Sequence, residues 1–198
     1  MGGECMPQAF TPEQIERIRR ALFESALSHA ASCGFKKTSL ESLTADAGIS
    51  KSSFYKFYNS KEQLFGEVGL HMEQAVIAKM QSVLAQTKGL PNRERAALAV
   101  NAAFDMVGEW DAVRFLCEDF PLLRSLLSKD EAREHFFSMS ASILETLKRE
   151  KVRFNVPDST IGSVIHILYL STLHMHEIEG FPGALRELVL GACERLVV

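Results

Sequence analysis

The chain has 198 residues, of which 46% are hydrophobic and 24% charged, ordinary globular proportions that exclude a disordered or low-complexity polymer. Its net charge of −3 excludes an evenly basic nucleic-acid binder, yet Lys36, Lys37, Lys51, Lys56 and Lys61 stand against only Glu41 and Asp46 between positions 34 and 61, a local excess of three positives, and the field at a phosphate is set locally. Cys5, Cys33, Cys117 and Cys193 are far apart and form no CxxC pair, which excludes a zinc knuckle or disulfide framework and leaves each as a small buried hydrophobe or an idle thiol.

Helical periodicity dominates and alternating strand patterns are absent, so the expected fold is all-α. Thr11 is a good N-cap, Pro12 suits the first helical position and Gln14 completes a capping box, with Phe10 and Ile15 placed to staple the turn. Ile15, Ile18, Leu22, Ala26 and Ala30 repeat at helical spacing until Gly34 stops the helix. A second helix is expected from Thr38, where Thr38, Ser39, Leu40 and Glu41 match a capping box, to Ala47 and Gly48, burying Leu40 and Leu43. Ser50 caps a short third helix that turns Phe54 and Tyr58 inward, and Ser60, with Gln63 as box partner, caps a fourth running towards Gln86. After Pro91 a fifth helix covers roughly 92–110, and residues 111–127 read as helical pieces interrupted at Pro121. Ser128 caps a long helix to about Lys151, an apolar helix follows over about 158–179, and a last one closes near Leu196 after a break at 180–183.

Function is most legible in the pair of short helices around Gly48. Neither is long enough to be stable alone, so neighbours must hold both. Ala47 and Gly48 are small at the turn and Ile49 is an apolar plug behind it, the layout of a helix-turn-helix whose second helix enters a major groove. Its outward residues would be Ser50, Lys51, Ser52, Ser53, Tyr55 and Lys56. Amides at the start of such a helix attract phosphate. Lys61, a cation in the first turn of the fourth helix where the dipole prefers an anion, fits a phosphate held there.

Gly34 and Phe35, the run Thr38, Ser39, Leu40, then Ala47 through Tyr55, and Phe57 through Leu64 together resemble the DNA-binding domain of TetR family repressors. The resemblance extends without a gap from about Thr11 to Val68, and its run over 48–64 is far more specific than a generic helix-turn-helix. It implies a three-helix helix-turn-helix DNA-binding domain over 11–71, with the motif itself at about 38–58, followed over 72–198 by a helical effector-binding and dimerisation domain. Thr38 and Ser39 would clamp a phosphate. Ser52, Ser53 and Lys56 would reach base edges, and Ser50, Lys51, Tyr55 and Lys61 would position the backbone. Phe57 stands where the family often has a phosphate-touching histidine, and Ser52 where glycine is frequent.

The resemblance further implies a homodimer on operator DNA, most simply a repressor released by a small, largely apolar effector; a ligand-responsive activator or a helical enzyme is the alternative. The sequence permits a C2 dimer through apolar stripes at Ile161, Val164, Ile165, Leu168 and Thr172 and at Leu185, Leu188, Val189 and Ala192. Phe104, Trp110, Phe137, His166 and Tyr169 suit an effector pocket, among many aromatics that read as plain core. His166, His174 and His176 lack a shared-ion spacing and read as structural, so no metal or cofactor is expected. No nucleophile elbow, phosphate loop or HExxH points to an enzyme. With no secretion signal and no apolar run of spanning length, the cytoplasm is the expected compartment.

Overall fold

Helix α1 (Pro12–Ser32) begins as its cap dictates, and in the computed structural model, which describes residues 10–110, 112–127 and 138–198, both arms of the Thr11–Gln14 box are formed. Ile18, Leu22, Ala26 and Ala30 are buried, whereas Ile15 is 40% exposed. Phe10 lies against Phe57, ring centroids 5.4 Å apart. Gly34, at φ 78°, ends α1 in the left-handed region, and a single turn, α2 (Gly34–Lys37), follows that no periodicity reveals.

That extra turn moves the next helix start. The N-cap of α3 (Leu40–Asp46) is Ser39, whose hydroxyl accepts from the Ser42 amide at 3.0 Å, and not Thr38 as expected. Thr38 is buried, its hydroxyl donating to the Gly34 carbonyl at 2.8 Å to close α2. Gly48 has φ 66° and a Cβ there would meet nothing within 4 Å, so the turn requires glycine for its backbone conformation and not for lack of space. Beyond it lies α4 (Lys51–Phe54), with Phe54 and Tyr58 buried and stacked at 5.9 Å.

The central element is α5 (Lys61–Gln86), capped by Ser60. The Gln63 side chain reaches back to the Asn59 amide at 2.7 Å, one residue earlier than a standard box. α5 packs on α1 and, further along, on α6 (Asn92–Glu109), α7 (Phe120–Leu127) and α8 (Ser138–Arg149). Pro121 was expected to interrupt the chain, yet it sits inside helical structure: a π-turn, Phe115–Asp119, precedes α7, and its wider winding skips the carbonyl a proline ring would strike. The expected start of α8 at Ser128 lies outside the described residues.

The apolar helix expected over 158–179 is shorter, α9 (Asp158–Ser171) plus a 3-10 turn, Thr172–His174. There the Ser171 and Thr172 hydroxyls each donate at 2.6 Å to carbonyls three residues back, tightening the end of the helix. Gly180, at φ 72°, then starts α10 (Phe181–Leu196) with Pro182 in its first turn, so the expected break at 180–183 is a helix start. Among the described residues the only strand-like pairing is one bridge between Phe154 and Val197, and no helix is long and apolar enough to cross a membrane. Ile161, Ile165, Leu168, Thr172, Leu185 and Val189 are buried in the chain's own core. Of the same two stripes, Val164 and Ala192 are only partly covered and Leu188 is 60% exposed, so the chain's own core takes most of each stripe and leaves Leu188 outside. Because α10 packs on α6 and α8 packs on α9, the apolar cover is supplied from within.

Candidate nucleic-acid interface

The two short helices are held from behind. Leu43, Phe54, Phe57 and Tyr58 are buried with Leu22 and Ala26 of α1 in one apolar cluster, so α4 keeps its outer side without needing intrinsic stability. On that side Ser50, Lys51, Ser52 and Lys56 are exposed, Tyr55 is 58% exposed and Ser53 is partly covered. Ser50 caps α4: its oxygen accepts the Ser53 amide at 3.3 Å and lies 3.0 and 2.9 Å from the Ser52 and Ser53 hydroxyls. The Ser53 amide is therefore already engaged, which reduces the set of open amides expected at this helix start. Three adjacent hydroxyls that trade protons among themselves can donate or accept, a property suited to either base edges or phosphate oxygens.

The lysines differ in what holds them. Lys51 is ion-paired to Glu41 of α3, and this partner raises its pKa by a hydrogen bond and by charge; the pair joins the two helices of the motif through exposed side chains. Lys56 lies over the Phe10 ring at 5.2 Å, a cation–π contact that orients its stem while the residue stays exposed. Lys61 has partners within the chain: its ammonium donates to the Phe35 and Thr38 carbonyls at 2.9 and 2.7 Å and sits over the Phe35 ring at 4.1 Å. A cation in the first turn of α5 thus meets carbonyls at the end of α2 and its following turn. Of the two residues expected to clamp a phosphate, Thr38 is buried with its hydroxyl donating to the Gly34 carbonyl, whereas the neighbouring Ser39 is exposed.

Sequence reasoning missed what lies behind this surface. Asp119, buried in the π-turn, accepts the Phe35 amide at 3.0 Å with one carboxyl oxygen. From there Phe35, Phe65, Phe115 and Phe120 form a chain of ring contacts at 5.3, 5.9 and 6.2 Å from the helix-turn-helix into the carboxy-terminal helices. An acidic residue flanked by Leu116 and Phe120 was the available signal.

Of the residues expected to line an effector pocket, Phe104 borders a cavity of about 390 Å³ between α6 and α10, with Asn101, Asp105, Met175, Phe181 and Arg186. Trp110, His166 and Tyr169 do not line that cavity, and Phe137 lies outside the described residues. Tyr169 is buried, and His166 Nδ1 is 3.4 Å from the Ser140 hydroxyl. His174 pairs with Glu177 at 2.9 Å, and among the described residues no three donors are grouped as metal ligands.

Residues 22–68 match the family model described as bacterial regulatory proteins, tetR family. No curated protein sequence matches the chain. Among solved structures, a TetR family transcription regulator from Marinobacter aquaeolei aligns at a TM-score of 0.63 and 21% identity, covering 94% of this chain and 99% of its own. A tetR-family transcriptional regulator from Streptomyces coelicolor aligns at 0.64 and 16% identity, covering 90% and 80%. The regulator FadR from Bacillus subtilis, in complex with stearoyl-CoA, aligns at 0.62 and 15% identity, covering 88% and 96%. At these identities the likeness is one of fold: an amino-terminal helix-turn-helix domain and a helical carboxy-terminal domain.

Proposed function

From the premise that this chain carries the amino-terminal domain of the tetR family of bacterial regulatory proteins, we propose that it is a dimeric repressor that reads operator DNA with α4 and leaves it when a small, largely apolar effector binds. One observation carries this reading: Ser50, Lys51, Ser52, Tyr55 and Lys56 stand exposed on one short helix whose opposite side is core. Ser52, Ser53 and Lys56 would meet base edges, and Ser39, Ser50, Lys51 and Tyr55 would position the backbone. The operator contacts reside in 11–71, and the effector and dimer functions in 72–198.

A twofold partner would place a second α4 one DNA turn away. The outer faces of α9 and α10 suit that contact, since Ile167 is 65% and Leu188 60% exposed. Gly191 supports the same surface. A Cβ there meets nothing within 4 Å, so no contact inside the chain requires a glycine that costs an interior helix about 1 kcal/mol relative to alanine; close approach of another helix would.

The cavity between α6 and α10 is of ligand size, apolar at Phe104, Phe181 and Leu185 and polar at its rim. Asn101 Oδ1 is buried without a partner among the described residues, and a donor group on an effector would satisfy it. The stearoyl-CoA held by the Bacillus subtilis neighbour supports an effector with a large apolar part. The test is retention of genomic fragments by immobilised protein, followed by titration of the recovered sequence at rising salt. Specific binding that falls steeply with salt is expected; equal binding to every fragment, or none, would overturn the reading.

A further inference from the structure

The corner where α1 meets α3 holds a relay of side chains that the DNA-facing surface does not use. The Ser25 hydroxyl donates to Asp46 Oδ2 at 2.6 Å, that same oxygen lies 3.3 Å from His29 Nε2, and His29 Nδ1 lies 3.5 Å from Cys33 Sγ. His29 and Cys33 are neighbours because they stand four residues apart at the end of α1; Asp46 is the last residue of α3. A carboxylate at Nε2 keeps the ring proton on that nitrogen and leaves Nδ1 as an acceptor facing the thiol. Nucleophile, base and orienting group thus follow one another in the order that activates a thiol. Cys33 is exposed, whereas Cys117 and Cys193 are partly covered and burial pushes both thiols up to about 11.

We propose that Cys33 is a modification site, an activated thiol that adds to soft carbon electrophiles of the α,β-unsaturated carbonyl class. The S–H proton passes to His29 Nδ1 as sulfur bonds to the β-carbon. The carbon–carbon π pair forms a new double bond to the carbonyl carbon as the carbonyl π pair moves onto oxygen, giving an enolate, and the α-carbon then takes a proton from His29, directly or through a water that His29 reprotonates. The product is a thioether, no oxidant is required, and His29 returns to its starting state. Addition is the chemistry that fits a thiol without a disulfide partner among the described cysteines.

Two further features connect this site to the rest of the molecule. Thr38 Oγ1 is 3.4 Å from the sulfur, while its single proton serves the Gly34 carbonyl at 2.8 Å. The thiolate form can draw the Thr38 proton away from Gly34 and receive the Nδ1–H of His29 once the ring has taken the thiol proton; these hydrogen bonds, Thr38 first and then His29, hold the Cys33 thiol below its ordinary range. Charge on sulfur therefore competes for the proton that closes α2. The titratable and charged groups facing this corner are the His29 ring, Asp46, Lys61 through the Phe35 and Thr38 carbonyls, and Asp119 through the Phe35 amide. A substituent on Cys33 would press on the turn that carries Ser39 and receives Asp119. That consequence rests on the proposed DNA-binding role; the reactivity does not.

The test treats the full chain with N-ethylmaleimide at pH 7 and follows each cysteine by peptide mass mapping, with glutathione as the free reference thiol. Cys33 should react about three- to tenfold faster than glutathione, the thiolate gain being partly offset by lower intrinsic nucleophilicity. His29→Gln should bring it back to the glutathione rate, and Asp46→Asn should slow it in the same direction. A wild-type Cys33 no faster than glutathione, or a rate unchanged in both variants, would overturn the assignment. In the same preparation, DNA retention lost on alkylation but kept by treated Cys33→Ser protein would support the coupling, and retention unaffected by alkylation would refute it. Untreated protein that retains no DNA would sink the regulator reading while leaving the thiol result standing.

Discussion

Asp119 and Phe35 are 84 positions apart in the chain, and one carboxyl oxygen of Asp119 holds the Phe35 amide at 3.0 Å. This bond fastens the π-turn before α7 to the single turn α2 that precedes the helix-turn-helix. An effector bound among the carboxy-terminal helices, as proposed, could act on α4 only through elements that touch both parts, and this is one of them. Asp119→Ala leaves the Phe35 donor without its acceptor, so a loss of about 1–3 kcal/mol is expected, together with a weaker effect of effector on DNA affinity. Urea denaturation reads the first and paired titrations read the second; unchanged values in both would remove Asp119 from the coupling.

Lys61 and Lys56 should separate cleanly by salt dependence. Lys56→Ala removes an exposed cation near the groove and should lower the slope of log affinity against log salt by about 1. Lys61→Ala removes the donor to two carbonyls, so it should lower thermal stability and affinity while leaving the slope in place. A lowered slope with unchanged melting temperature for Lys61→Ala would restore the phosphate role. Ser53→Ala should alter sequence preference in a fragment-selection experiment.

Two glycines should fail for opposite reasons. At Gly69 an added Cβ would lie 2.0 Å from the Phe120 ring, so Gly69→Ala should destabilise by about 1–3 kcal/mol through overpacking of α5 against α7, despite alanine's better helix propensity. At Gly48 there is open space but φ 66°, and Gly48→Ala should cost about 1–2 kcal/mol as backbone strain. Gly48→Asn should recover part of that loss, since asparagine tolerates the left-handed region, whereas Gly69→Asn should not. Chemical denaturation midpoints of the four variants decide it.

Asp46 carries a pH signature. The Ser25 hydrogen bond, followed by His29, holds its carboxyl below the ordinary carboxylate range against the opposing effect of burial. A depressed carboxyl contributes stability that is fully present above its unfolded pKa and is lost as pH falls through the folded one. The contribution should therefore disappear only below about pH 4. Asp46→Asn should flatten that acid limb in a stability-versus-pH series and have the same slope as wild type above it. Identical acid limbs would show that the Ser25 contact does not favour the charged form.

Leu188 is 60% exposed on α10 among the described residues. Leu188→Glu should convert the proposed dimer to monomer in sedimentation while leaving helicity intact, because charge is tolerated on a solvated face and not in an apolar subunit contact. Val189→Glu, one residue on and buried, should unfold the protein instead. Wild-type protein that sediments as a monomer at micromolar concentration would overturn the interface.

Local signals determined much of this molecule. The caps at Thr11, Ser50 and Ser60, the stop at Gly34 and the small turn at Ala47 and Gly48 each act within a few residues, and so helix types and the exposed side of α4 follow from the linear order. The tertiary structure decided what each polar group faces. Thr38 is a buried turn closure, Lys61 caps carbonyls, most of the α9 and α10 stripes is buried while Leu188 is left exposed, and Asp119 reaches Phe35. Periodicity tells which side of a helix is apolar but not whether its cover comes from the same chain. A hydroxyl or ammonium carries its donors in any setting, and only the packing of distant segments selects the acceptor.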